Sequence, residues 1–141
     1  MARNEPRVMI LTCNWNAYHC LDEAGRQHLS LPPGVRHLKV ECMGQIGPSL
    51  VLKACEKGAD GVMLVACAPE ECHFEFGSRR AAELFEETRK LAGLLGIHQD
   101  RLQFYQMAAG EPAELVTRVR GMADRLAARD ETPIRGEGAA E

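Results

Sequence analysis

Along this chain, short apolar runs alternate with longer amphipathic stretches. RVMILTC (7–13), RHLKVEC (36–42), GVMLVAC (61–67) and RLQFYQM (101–107) are brief and rich in branched and apolar side chains, and each predicts a strand. The first and third are apolar on both faces, as strands covered by helices on each side must be. The intervals carry helix signals. Gly47-Pro48 is a cap and first-turn pair for a helix that runs to Gly58, with Leu50, Val51, Ala54 and Cys55 as its apolar stripe. Between Ser78, read as an N-cap, and Gly96, residues Ala81, Leu84, Phe85, Thr88, Leu91, Ala92 and Leu95 recur at helical spacing. Pro112 opens a last helix whose buried face is Leu115, Val116, Val119, Met122, Ala123 and Leu126.

The order βαβαβαβα predicts an α/β fold, a single flavodoxin-like layer. Its four-stranded parallel sheet has the order 2-1-3-4, with right-handed crossovers and helices on both faces. In that order strands two, one and three are neighbours, so their carboxyl ends share one edge. Residues 1–128 form one domain on this reading. Residues 129–141, RDETPIRGEGAAE, lack periodicity and are expected to be a mobile tail.

Composition changes this picture little. A chain of 141 residues, 45% hydrophobic and 26% charged, suits one globular core, and a net charge of -3 gives no basic bias towards nucleic acid. No segment approaches the roughly 20 apolar residues that span a bilayer, so no membrane insertion is expected. The N-terminus MARNEPRVMI lacks a signal-peptide core, and the expected location is cytoplasmic. In that reducing compartment the six cysteines are not a disulfide framework.

Their positions are informative. Cys13, Cys42 and Cys67 each close a predicted strand, and Cys72 follows in the loop CAPEECHF. The sheet would gather these thiols on the carboxyl edge, where α/β proteins of this type hold ligands. Thiolates are soft donors, and four of them supply a tetrahedral zinc site or a 2Fe-2S cluster; the spacing does not choose between the two. Cys20 and Cys55 fall on apolar helix faces and read as packing residues.

Other candidates carry less chemistry. His73 beside Cys72 and His19 beside Cys20 are of a type that ligates iron in Rieske centres, although lone histidines more often serve as hydrogen-bonding or surface residues. His28, His37 and His98 lie in polar stretches and are expected to be solvated. The loop CNWNAYHC has no glycine to wrap a phosphate, and GQIGPS at 44–49 lacks both the P-loop lysine and the G-x-G-x-x-G spacing. No nucleophile, base and orienter set is visible.

Three stretches together, CNWNAY, VECMGQIGPSLVLKACEKGADGVMLVAC and CAPEECHF, resemble the delta subunit of methyl-viologen-reducing hydrogenase. The likeness runs from about Arg7 to Arg125. It implies a small electron-transfer subunit with a 2Fe-2S cluster, linking a hydrogenase or formate dehydrogenase module to the flavin-containing subunit of heterodisulfide reductase or a related complex. The matching ligand positions are Cys13, Cys42, Cys67 and Cys72. The family's first motif is C-N-W-C, and its second cysteine is Asn16 here; the family's arginine after C-x-G is Gln45. Cys20, four residues beyond Asn16, is a substitute ligand only if the first helix starts late or shifts.

On this account Trp15, Met43 and Phe74 form an apolar rim through which a partner docks, and the chain has no substrate pocket of its own. Two rival classes remain. One is a thiol-disulfide oxidoreductase or redox sensor with Cys13 as nucleophile at a helix N-terminus, which lacks a C-x-x-C resolving partner. The other is a scaffold subunit with structural zinc or no metal.

Overall fold

The computed structural model describes residues 6–13, 16–68, 77–107 and 110–128. The strands are β1 (Val8–Cys13), β2 (Val35–Val40), β3 (Gly61–Cys67) and β4 (Leu102–Met107). The helices are α1 (Asn16–Arg26), α2 (Pro48–Glu56), α3 (Gly77–Leu94) and α4 (Pro112–Ala128). A 3₁₀ turn at Met43–Gln45 precedes α2, and another at Gln99–Arg101 precedes β4. The sheet is four-stranded, all parallel, in the order β2-β1-β3-β4, as the alternation predicts.

Each face of the sheet carries two helices. On one, α1 and α4 pack together over Val8, Ile10, Met63 and Val65. On the other, α2 and α3 cover Leu11, Val62, Leu64 and Ala66. Every residue of β3 is buried, which explains why its sequence shows no polar alternation. The predicted face of α4 is buried residue for residue, from Leu115 to Leu126. At the amino edge, the Arg7 amide donates to the Asp60 carboxylate at 2.7 Å and the Asp60 amide returns a bond to the Arg7 carbonyl at 2.7 Å, fixing the level of β1 against β3.

Several local expectations need correction. α2 begins at Pro48 behind Gly47 but ends at Glu56, with Gly58 at φ 110 in the turn that follows. Leu50 is exposed, because the helix turns Val51 and Cys55 inward. α3 starts at Gly77, so Ser78 lies inside its first turn and is not the cap. Leu91 and Leu95 are exposed together with Leu94, which is 83% accessible. The buried stripe of α3 is Ala81, Phe85, Thr88 and Ala92, and the three leucines lie off it. Thr88 does face the core and satisfies its hydroxyl by donating to the Leu84 carbonyl at 2.8 Å. No helix among the described residues is long and apolar enough to cross a membrane.

Candidate metal centre at the carboxyl edge

From the end of β1 the chain turns towards β2, and from the end of β3 it turns the other way towards β4. The crevice between these two strand ends is the switch point where parallel sheets of this kind take ligands. Cys13 is the last residue of β1 and Cys67 the last of β3. Their sulfurs share a hydrogen bond of 3.0 Å, although 54 positions separate them in sequence, and each residue is only 3% exposed. The parallel pairing of β1 with β3 brings them together.

The other expected ligands stand differently. Cys42 is not a strand residue: β2 ends at Val40, and Cys42 is the extended N-cap of the 3₁₀ turn. It is 8% exposed and belongs to neither core cluster. Cys72 and His73 lie outside the described residues, as do Trp15 and Phe74. Met43, expected at an exposed rim, is 1% exposed within the α2/α3 core and offers nothing to a docking partner. His19 is exposed.

Two glycines hold the 3₁₀ turn in place. A Cβ on Gly44 would stand 2.8 Å from the Gly77 carbonyl oxygen, so the backbone after Cys42 lies directly on the first residue of α3. Only glycine permits that approach. Cys72 is five positions from Cys67 and five from Gly77 in the sequence.

Cys20 and Cys55, both expected to be packing residues, are buried. Burial pushes both thiols above their ordinary pKa. Cys55 sits in the α2/α3 core, where the Arg101 charge partly counters that rise. Cys20 lies in the same cluster as Cys13 and Cys67. The backbone of Glu111 and Gly110 opposes the effect of burial on its pKa, while the charges of Glu111 and Cys13 add to it.

Sequence reading also misses a polar cluster beside Cys13. Thr12, fully buried, shares a 2.7 Å hydrogen bond with Nε2 of His37 on β2. The imidazole stacks on Tyr18 of α1 at 5.8 Å, and the Lys39 ammonium lies 4.5 Å from the same phenol ring. Burial, and then the Lys39 charge, lower the His37 pKa. The ring is exposed, as expected, and is nonetheless held by the Thr12 hydroxyl and the Tyr18 ring; the alternation of His37 with Lys39 on one face of β2 is the signal that points to it.

The donor set suits half of a soft-metal site. Two thiolates on one tetrahedral ion with bonds of about 2.3 Å stand about 3.8 Å apart, so the Cys13/Cys67 pair needs to open by less than about 1 Å. Two thiolates at the observed contact would repel, and a soft cation between them removes the repulsion. Among the described residues no three His, Cys, Asp or Glu side chains are grouped to hold a metal ion.

Fold and site together define an α/β layer with a buried cysteine pair at its switch point. The sequence matches the family model of the methyl-viologen-reducing hydrogenase delta subunit over residues 8–128, and the chain belongs to that family. It is 34% identical over 133 residues to the vhc iron-sulfur subunit of the F420-non-reducing hydrogenase of Methanococcus voltae, covering 91% of this chain and 90% of that one. The corresponding vhu iron-sulfur subunit of Methanococcus maripaludis is 31% identical over 131 residues, covering 93% of this chain and 98% of the relative. A third relative is a subunit of the ferredoxin:CoB-CoM heterodisulfide reductase of Methanosarcina mazei, 31% identical over 106 residues; the match takes in 75% of this chain but 13% of that much longer protein.

Proposed function

We propose that this protein is a cytoplasmic electron-transfer subunit that holds a 2Fe-2S cluster through Cys13, Cys42, Cys67 and Cys72. The observation that carries the reading is the buried 3.0 Å contact between Cys13 and Cys67 at the switch point of the sheet. Such a cluster, when bound, takes up and releases one electron at a time. The protein's part is to hold the thiolates and to limit water. Cys13 and Cys67 supply a pair already oriented by β1 and β3, and Ala17 and Met107 pack in the same core and keep it dry. Cys42 supplies a third donor from a turn fixed by the Gly44–Gly77 contact.

The names of the relatives support a place in a larger redox assembly. One is an iron-sulfur subunit of a hydrogenase, and another carries the matching region within a heterodisulfide reductase chain. The partners of this reading are accordingly a heterodisulfide reductase A-like flavoprotein on one side and a hydrogenase or formate dehydrogenase module on the other. Residues 1–128 act as the single folded unit and 129–141 as its tail, so a chain ending at Ala128 should hold the same cluster.

The test is anaerobic purification followed by iron and sulfide analysis and an absorption spectrum. Visible bands that bleach with dithionite, lost in Cys42→Ala and kept in Cys55→Ala, are expected. A colourless protein with stoichiometric zinc would replace the relay by a scaffold. The short Cys13–Cys67 contact favours one second reading, a redox-active disulfide, since the two sulfurs are already neighbours. Colourless, metal-free protein whose Cys13 and Cys67 become oxidised to a disulfide under mild oxidant would establish it. At 3% exposure neither thiol is open to attack on another protein, which restricts that reading to an internal sensor.

A further inference from the structure

The sheet has two edges, and they are finished differently. β4 is half-covered along most of its length, and the Arg118 guanidinium of α4 lies 4.0 Å from its Tyr105 ring. On β2 the four residues 36–39 are all exposed, and the strand pairs with β1 alone among the described residues. Val8 stands opposite Val35 and donates to the Gly34 carbonyl. The alternation that follows turns the main-chain N–H and C=O groups of Arg36 and Leu38 towards β1 and leaves those of His37 and Lys39 facing outwards. Such a row of main-chain groups is a template for one further strand.

Charge selects what can lie there. Val35–Val40 contains Arg36 and Lys39 and no acid, and Glu41 lies beyond the strand end. The α1 carboxylates Asp22 and Glu23 are paired with Arg26 of their own helix. The Lys39 ammonium rests 4.5 Å from the centre of the Tyr18 ring and the His37 imidazole stacks on the same ring at 5.8 Å, so both side chains are ordered in advance and lose less freedom on binding. A second copy of this chain is a poor occupant. Full-length antiparallel pairing of two β2 strands sets Arg36 of one copy against Lys39 of the other, and like charges directly opposite are destabilising.

We infer that the free edge of β2 docks an extended acidic segment of a partner protein, which joins the sheet as a fifth strand beside Arg36, His37 and Lys39. Main-chain bonds to His37 and Lys39 supply the pairing, and carboxylates set against Arg36 and Lys39 supply the selectivity. Leu38, 44% exposed, adds an apolar contact on the face it shares with Arg36. The added strand lies two strand spacings, about 10 Å, from β1, beside the strand that ends at Cys13. The inference does not depend on the iron-sulfur reading, because the edge is formed by backbone and charge alone.

The experiment titrates the full chain with a short labelled peptide of alternating threonine and glutamate, read by fluorescence anisotropy, and follows amide hydrogen exchange by NMR on the same complex. Saturable binding that weakens with added salt is expected, with none for the matching threonine–lysine peptide. The double variant Arg36→Glu/Lys39→Glu should weaken binding by at least about tenfold, and Arg36→Gln/Lys39→Gln, which carries no new charge, should weaken it less. On binding, the amides of His37 and Lys39 gain protection, whereas those of Arg36 and Leu38, already turned to β1, do not change. Absence of saturable binding overturns the inference, as does equal binding of the lysine peptide. Binding without new protection at residues 37 and 39 also overturns it, because the contact would then be electrostatic and not a strand. Outward amides that are already protected in the free chain would assign the edge to a second copy, if dilution removes the protection, or to another segment of this chain, if it does not.

Discussion

The two faces of the sheet each bury a continuous apolar cluster, yet they treat cysteine differently. On the α2/α3 face Cys55 lies among Leu11, Val51, Leu64 and Ala81, and the charge that acts on it is that of Arg101. On the α1/α4 face Cys13, Cys20 and Cys67 share one cluster, with a sulfur–sulfur contact between Cys13 and Cys67. A buried thiol is therefore not informative by itself. What separates packing from chemistry is whether polar groups converge on the sulfur.

Replacement of Cys67 or Cys13 should have the largest effect on this contrast. Either Ala variant is expected to lose bound iron and the visible spectrum altogether, whereas Cys55→Ala keeps both; equal spectra in all three would erase the distinction between the faces. Next comes Gly44→Ala. Its methyl group meets the Gly77 backbone, not a side chain that can swing away, so a loss of about 1–3 kcal/mol in a urea titration is expected, with reduced iron retention. Cys55→Ala should cost about 1–2 kcal/mol in the same titration, the value for a small cavity in a dry core. A cost near zero would mean that its core collapses to fill the space.

The smallest effect concerns His37. Its pKa is lowered in the folded protein, so the unfolded chain binds the proton more readily and stability rises with pH across the range below the ordinary histidine value of about 6.5. The contribution is present when the ring is neutral and is lost on acidification. His37→Gln should flatten the dependence of the urea midpoint on pH between about 5 and 7, and an unchanged slope would assign it to other groups.

Strand order and the burial of α4 are legible in the sequence because both follow from periodicity and from the handedness of parallel crossovers. The Cys13/Cys67 pairing is legible for the same reason: both close strands that the order makes adjacent. Cys42 is misplaced by its sequence because RHLKVEC continues a strand pattern past Val40, where the chain already bends into the 3₁₀ turn. Met43 reads as a rim residue because hydropathy does not distinguish a buried turn residue from an exposed one. The environment of Cys20 is hidden for a deeper reason. The backbone that acts on its pKa belongs to residues 110 and 111, about ninety positions away, and leaves no mark in side-chain sequence.

The parallel register also sets an order of events during biogenesis. No pair of neighbouring strands can close through a short hairpin, and the Cys13–Cys67 contact closes a span of 54 positions, whose loop-closure entropy disfavours forming it early in folding. Iron delivered to the nascent chain would meet scattered thiols, while iron delivered after collapse would meet a prepared pair. On the proposed iron-sulfur reading, loading should therefore follow the folding of the sheet.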